Sequence, residues 1–137
     1  MKKIFSTTTS PAALSLATLI LRLTAGGFML SHGVPKLLNL LAGEIRFGDP
    51  IGLGPEISLA LAVFAEFFCS ILLILGLGTR LATIPLIVTM AVAGLIAHGA
   101  DPFGRKELAL FYLLVYVVIL LLGSGKYSVD SILVKKK

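Results

Sequence analysis

A chain of 137 residues that is 57% hydrophobic, with mean hydropathy +1.01, has the composition of a membrane protein and not of a water-soluble one. Its net charge of +5 would point to nucleic acid in a soluble chain; the apolar content excludes that partner, and the length suits one domain over residues 1–137. The one cysteine, Cys69, excludes an intramolecular disulfide and a paired-thiol redox motif.

The first apolar run is Ala12–Ser31, preceded by Lys2 and Lys3. A signal peptide has a short apolar stretch without a central charge. Arg22 breaks that pattern, so the run reads as a retained helix over about 12–32. Twenty helical residues cover ~30 Å, one hydrocarbon core. The segment Leu41–Glu56, rich in Gly and Pro, follows as a loop. The second run, Ile57–Leu77, predicts a helix over 57–77 with Glu66 in its middle. The third, Leu81–Ala97, carries Pro85 in its first turns and extends to His98, predicting 81–98. The fourth, Leu108–Gly123, is opened by Glu107 and predicts 107–123. Gly123-Ser124-Gly125-Lys126 lacks the spacing of a phosphate loop and follows a membrane helix instead of a strand. It reads as a turn into a short amphipathic tail, Val129–Val134.

The expected architecture is therefore all-α: an integral membrane four-helix bundle with both termini inside. That orientation puts Lys2, Lys3, Arg80, Lys126, Lys135, Lys136 and Lys137 on the cytoplasmic side. Lys36, Arg46, Arg105 and Lys106 fall outside, which satisfies the positive-inside rule.

Arg22 and Glu66 both fall near mid-bilayer. An unpaired ion there costs at least ~2.5–3.5 kcal/mol. One reading is a structural ion pair between the first two helices, which fixes register more than it adds stability. Another is a polar floor to a cavity, with Arg22 donating and Glu66 accepting or relaying a proton. His32 and His98 close the outer ends of the first and third helices. With Lys36 and Glu107 they form a polar cap over that floor. Two histidines without a third ligand make no metal site. Glu107 also suits the positive end of the helix dipole, and Tyr112 and Tyr116, one turn apart, suit packing. No nucleophile–base–acid set, zinc spacing or dinucleotide fingerprint is present, so the sequence alone does not say whether the chain is an enzyme.

Arg22, Gly26, His32, Gly33 and Lys36, spaced R-x3-G-x5-H-G-x-x-K, resemble the first helix of DoxX-family membrane proteins. Glu66 and the turn Leu75-Gly76-Leu77-Gly78-Thr79-Arg80 resemble that family's second helix and its following turn. His98 matches the histidine closing its third helix. Glu107 and then Gly123, Gly125, Ser128 and Asp130 resemble its ending. The resemblance covers about residues 15–132 and implies a small four-helix protein of the bacterial inner membrane. The family takes its name from a thiosulfate:quinone oxidoreductase subunit. Other members are linked to membrane oxidoreductase complexes, to thiol and oxidative stress, and to quinone or catechol resistance. Arg22, His32, Lys36, Glu66, Arg80, His98 and Glu107 stand at its polar positions. The Leu41–Glu56 segment is longer than is common in the family and reads as a lid over the outer cap or a membrane-surface loop.

The leading expectation is a redox-associated membrane subunit that binds a quinone-like head group at Arg22, His32, Lys36, Glu66, His98 and Glu107. It would sit in the lipid bilayer and serve an oxidoreductase partner. Two other readings stay open: a non-catalytic adaptor or scaffold, and a small-solute transport component that would need a homo-oligomer.

Overall fold

The computed structural model describes residues 6–135, all-helical where regular and without a strand. The terminal lysines invoked for orientation, Lys2, Lys3, Lys136 and Lys137, lie outside the described residues. Four long helices pack together: α1 (Pro11–Leu41), α2 (Pro55–Leu75), α3 (Thr79–Ala97) and α4 (Phe103–Leu122). A short α5 (Val129–Lys135) follows. The α1 helix packs along α2 and α3 along α4, while α2 against α3 and α1 against α4 close the bundle.

Local chemistry sets the helix ends. Ser10 caps α1, its Oγ accepting from the Ala13 amide at 3.1 Å, with Pro11 in the first turn. Instead of ending near His32, α1 runs through Pro35 to Leu41. The apolar residues Leu37, Leu38, Leu40 and Leu41 sustain it, and Gly33 lets its second half lie directly on α2. The α2 helix stops at Gly76, whose φ of 71° favours glycine, and the Leu77 amide reaches back to Leu72 O at 3.0 Å. The α3 helix begins at Thr79, where the Asp130 carboxylate accepts from the Gly78 and Thr79 amides at 2.7 and 3.1 Å. The α4 helix starts at Phe103, one turn before the expected opening at Glu107.

Two stretches depart from α geometry. Phe64–Cys69 in α2 and Val92–Ala97 in α3 are π-helical. Such wide turns are rare and concentrate at functional sites.

Polarity is distributed the opposite way to a water-soluble domain. Thr18, Arg22, Ser58, Glu66, Ser70, Thr79 and Thr83 are buried, whereas Phe28, Leu38, Val88, Phe111, Leu114 and Leu121 are exposed. Water would penalise such an apolar exterior, while lipid favours it. Pro11–Leu41, Pro55–Leu75 and Thr79–Ala97 are each long and apolar enough to cross a membrane. The α4 helix carries Arg105, Lys106 and Glu107 near its start, then runs apolar from Leu108 to Leu122. The core between the helices is made of Ala25, Met29, Ala65, Cys69, Leu73, Leu86, Tyr116 and Ile119. Cys69 is buried there as a small packing residue.

Candidate functional site

The two buried charges do not meet. Arg22, 1% exposed, is bonded to backbone carbonyls. Its Nε donates to Leu73 O at 2.9 Å and its Nη2 to Ile74 O at 3.0 Å. Its Nη1 donates to Tyr127 O at 3.0 Å and also to Ser124 O. These carbonyls belong to the last turn of α2 and to the turn after α4, where carbonyl lone pairs are left open, although Leu73 O also accepts from the Gly76 amide at 3.1 Å. A Cβ at position 76 would lie 2.5 Å from Arg22 Nη2, so glycine there gives the guanidinium its room. Arg22 thus ties α1, α2 and the Gly123–Ser128 turn together, and its charge is spent on peptide dipoles. This corrects both the expected Arg22–Glu66 ion pair and the placing of Arg22 at the floor of a ligand pocket.

Glu66 pairs instead with Lys36. The ammonium lies 2.6 Å from both Oε1 and Oε2 of Glu66. Glu66 is 2% exposed and belongs to the π-helical turn of α2. The pair forms because α1 continues past Pro35 and comes very close to α2. A Cβ on Gly33 would stand 2.5 Å from the Glu66 carbonyl oxygen. Lys36 also passes over the Phe47 ring, 5.6 Å from its centroid.

Lys36 forms part of the wall of an apolar cavity of about 370 Å³ between α2 and α3. The α2 side contributes Ser58, Leu61 and Ala62; the α3 side contributes Val88, Thr89, Val92, Ala93 and Ala97. Phe47, Gly48, Pro50 and Ile51 of the α1–α2 connection roof it, so that segment acts as a cover. Asp49 pins the cover to α2 by accepting from Ser58 Oγ at 3.2 Å. The volume falls within the range of small-molecule sites, which are mostly apolar with few polar groups. The π-helical turn of α3 supplies Val92, Ala93 and Ala97 to its wall, while that of α2 holds Glu66 against the lining residue Lys36.

His98 ends α3 at the mouth of this cavity, its Nδ1 2.8 Å from Asp101 Oδ2. That hydrogen bond holds the Asp101 carboxyl below its usual range, burial opposes it slightly, and Arg105, 3.9 Å away, adds to the lowering. Lys106 closes the same turn by donating to Gly99 O at 3.0 Å.

The expected polar cap is therefore divided. Lys36 and His98 line the cavity, and Glu66 is linked to it through Lys36. His32 faces α4, edge-on to the Tyr112 ring at 6.4 Å, and Tyr112 stacks on Tyr116 at 5.8 Å. Glu107 is exposed in the second turn of α4 and does not line the cavity. Among the described residues, no three His, Cys, Asp or Glu side chains gather as a metal-binding group. Sequence reasoning placed Lys36 in the polar cap but did not pair it with Glu66. Gly33, three residues earlier on the same helix face, was the signal that this face meets another helix closely.

The DoxX family model matches residues 17–99, which include α2, α3, Arg22, the Lys36–Glu66 pair and His98. The chain belongs to the DoxX family. A Haemophilus influenzae relative, described as an uncharacterized protein, is 34% identical over 127 residues, covering 85% of this chain and 90% of its own. No solved structure matches. The DoxX match spans the whole cavity wall contributed by α1, α2 and α3 and ends just after His98.

Proposed function

We propose that this DoxX-family membrane protein is a subunit of an oxidoreductase system in the bacterial inner membrane, taking a quinone-like head group into the cavity under the 42–54 segment. The observation that carries this reading is a buried ion pair set beside an otherwise apolar cavity. An apolar wall accepts an aromatic ring. An ammonium has three donors, and Glu66 engages Lys36 at both carboxylate oxygens. A remaining Lys36 N–H is available to a ring carbonyl oxygen. Reduction of a quinone takes up two electrons and two protons. The electrons would come from the partner enzyme, and Glu66, linked to Lys36, would relay a proton. His98 and Asp101 at the mouth supply a route from the aqueous side.

The chain would span the bilayer four times, with both termini cytoplasmic. Supporting this, Arg80, Lys126 and Lys135 collect at the end that also holds the α2–α3 turn, while Arg46 of the α1–α2 connection and Arg105 and Lys106 of the first turn of α4 lie at the other end.

The test is extraction of the detergent-purified protein and mass spectrometry for bound quinone, beside Ala97→Phe, which fills the cavity mouth. Stoichiometric quinone in the parent and its loss in a folded Ala97→Phe protein is the expected result. Glu66→Gln should then keep the ligand and lose quinone-dependent activity of the partner. No quinone in the parent, and no saturable uptake of added short-chain quinone, overturns the reading in favour of a non-catalytic adaptor.

A further inference from the structure

At the opposite end of the bundle, an open groove of about 400 Å³ separates the start of α3 from the end of α4. One wall is polar: Arg80 and the Gly123–Gly125 turn. The other is apolar: Leu81 and Leu122. The Arg80 guanidinium lies over Gly123, where a Cβ would stand 3.4 Å from it. Its Nε donates to Leu120 O at 3.2 Å and its Nη2 approaches Leu121 O at 3.5 Å, while Nη1 has no hydrogen bond among the described residues. The amides of Ser124, Gly125 and Lys126 likewise donate to no protein group among the described residues. Gly123 and Gly125 have φ of 79° and 73°, which glycine accommodates, and they shape the turn that follows α4.

The one acid in the groove, Asp130, is already committed to the Gly78 and Thr79 amides. That leaves the groove with the Arg80 Nη1 donors, unused amide donors and Lys126 next in the chain, so donors outnumber its one carboxylate. It also opens onto the apolar exterior, where Leu81 and Leu121 are 74% and 73% exposed. A phosphate dissolved in water would gain nothing from that apolar wall. A molecule with an anionic head and an alkyl chain would use both walls. Basic recesses between membrane helices recognise lipid head groups in this way.

We propose that this groove binds an anionic phospholipid, with its phosphodiester on Arg80 and the Ser124 and Gly125 amides and its acyl chain along Leu81 and Leu122. The site is independent of the Lys36 cavity, and its failure would leave the quinone reading untouched.

The experiment is native mass spectrometry of the full chain released from micelles containing phosphatidylglycerol or phosphatidylcholine, with and without inorganic phosphate. The parent should retain phosphatidylglycerol at least tenfold more than phosphatidylcholine, and millimolar phosphate should not displace it. Ser124→Asp introduces a carboxylate into the groove without altering Arg80 or the glycines. It should reduce retention about tenfold, with an unchanged thermal transition. Lys135→Ala should retain the lipid as the parent does. Equal retention of the two lipids, full displacement by phosphate, or parent-like retention by Ser124→Asp would each overturn the proposal. So would loss confined to Lys135→Ala, which would place binding on the tail. Arg80→Gln provides a second reading should Ser124→Asp fail to fold, and parent-like retention there would also overturn it.

Discussion

Lys36 meets Glu66 across the α1–α2 contact with its ammonium 2.6 Å from each carboxylate oxygen, and Gly33 makes that contact possible. The carboxylate is buried and the lysine lies between it and the cavity. A pair of this kind is costly to break by halves. The attraction is offset by desolvation when both charges are present, but a single remaining charge is uncompensated.

Lys36→Leu should therefore destabilise the protein by about 3 kcal/mol, near the lower end of the range for breaking a buried pair because Lys36 is partly exposed. The double variant Lys36→Leu/Glu66→Leu should recover most of that loss. Unfolding in mixed micelles with increasing denaturing detergent would measure both. A double variant as unstable as the sum of the single ones would argue against a coupled pair.

Gly33→Ala should cost about 1–3 kcal/mol, because its Cβ would meet the backbone of the Glu66 π-helical turn, which cannot swing aside. Gly27→Ala, on the same helix with nothing within 4 Å of its Cβ, should be neutral or slightly stabilising. The same unfolding assay compares them. Equal effects at the two positions would contradict the close approach.

Arg22→Lys should loosen the Gly123–Ser128 turn, since one ammonium cannot reproduce the fork that serves carbonyls of Leu73, Ile74, Ser124 and Tyr127. Loss of even one or two hydrogen bonds to a charged donor is worth about 1.5–3 kcal/mol each. Limited trypsin digestion should cut after the exposed Lys126 faster in the variant than in the parent. Unchanged cleavage would mean that Arg22 does not hold this turn.

Acid should release the α3 cap. Burial tends to raise the Asp130 carboxyl, but the Gly78 and Thr79 amides and the nearby Arg22 outweigh it, and the folded value lies below the usual one. A lowered folded value means that the stabilisation is fully present above the ordinary carboxylate range, about 3.9. It is lost as pH falls below that range and through the folded value. Thermal unfolding should be insensitive to Asp130→Asn substitution at low pH and destabilised by it near neutrality. A constant difference between variant and parent from pH 3 to 7 would rule out this linkage.

Much of the fold was legible before the structure. The apolar runs located the helices to within a few residues at most ends, because lipid-exposed helices must be apolar along nearly their whole length. The exception was the end of α1. The apolar run Ala12–Ser31 put that end near residue 32, yet the leucines beyond Pro35 kept the helix going against α2. Of the candidate site, Lys36 and His98 line one cavity and Glu66 pairs with that Lys36, whereas Arg22, His32 and Glu107 lie elsewhere. Counting along the apolar runs put Arg22 and Glu66 at a similar depth, but it does not fix how far one helix slides along the next. In the bundle Arg22 lies beside Leu73 and Ile74 at the end of α2, whereas Glu66 lies beside Gly33, eleven residues further along α1, so the two charges are separated along the helix axis.

The sequence by itself determined a membrane protein of the DoxX family, all-helical, with charges that had to be satisfied inside it. Composition and spacing decide this because burial of apolar surface and satisfaction of backbone bonds leave few other solutions. Only the tertiary structure decided which partner satisfies each charge. Arg22 found carbonyls of a helix end and a turn, and Glu66 found Lys36 through a glycine contact. The roof of the cavity, from Phe47 to Ile51, is likewise a tertiary outcome. Its residues have no periodic pattern, and their place is set by where α1 ends and α2 begins.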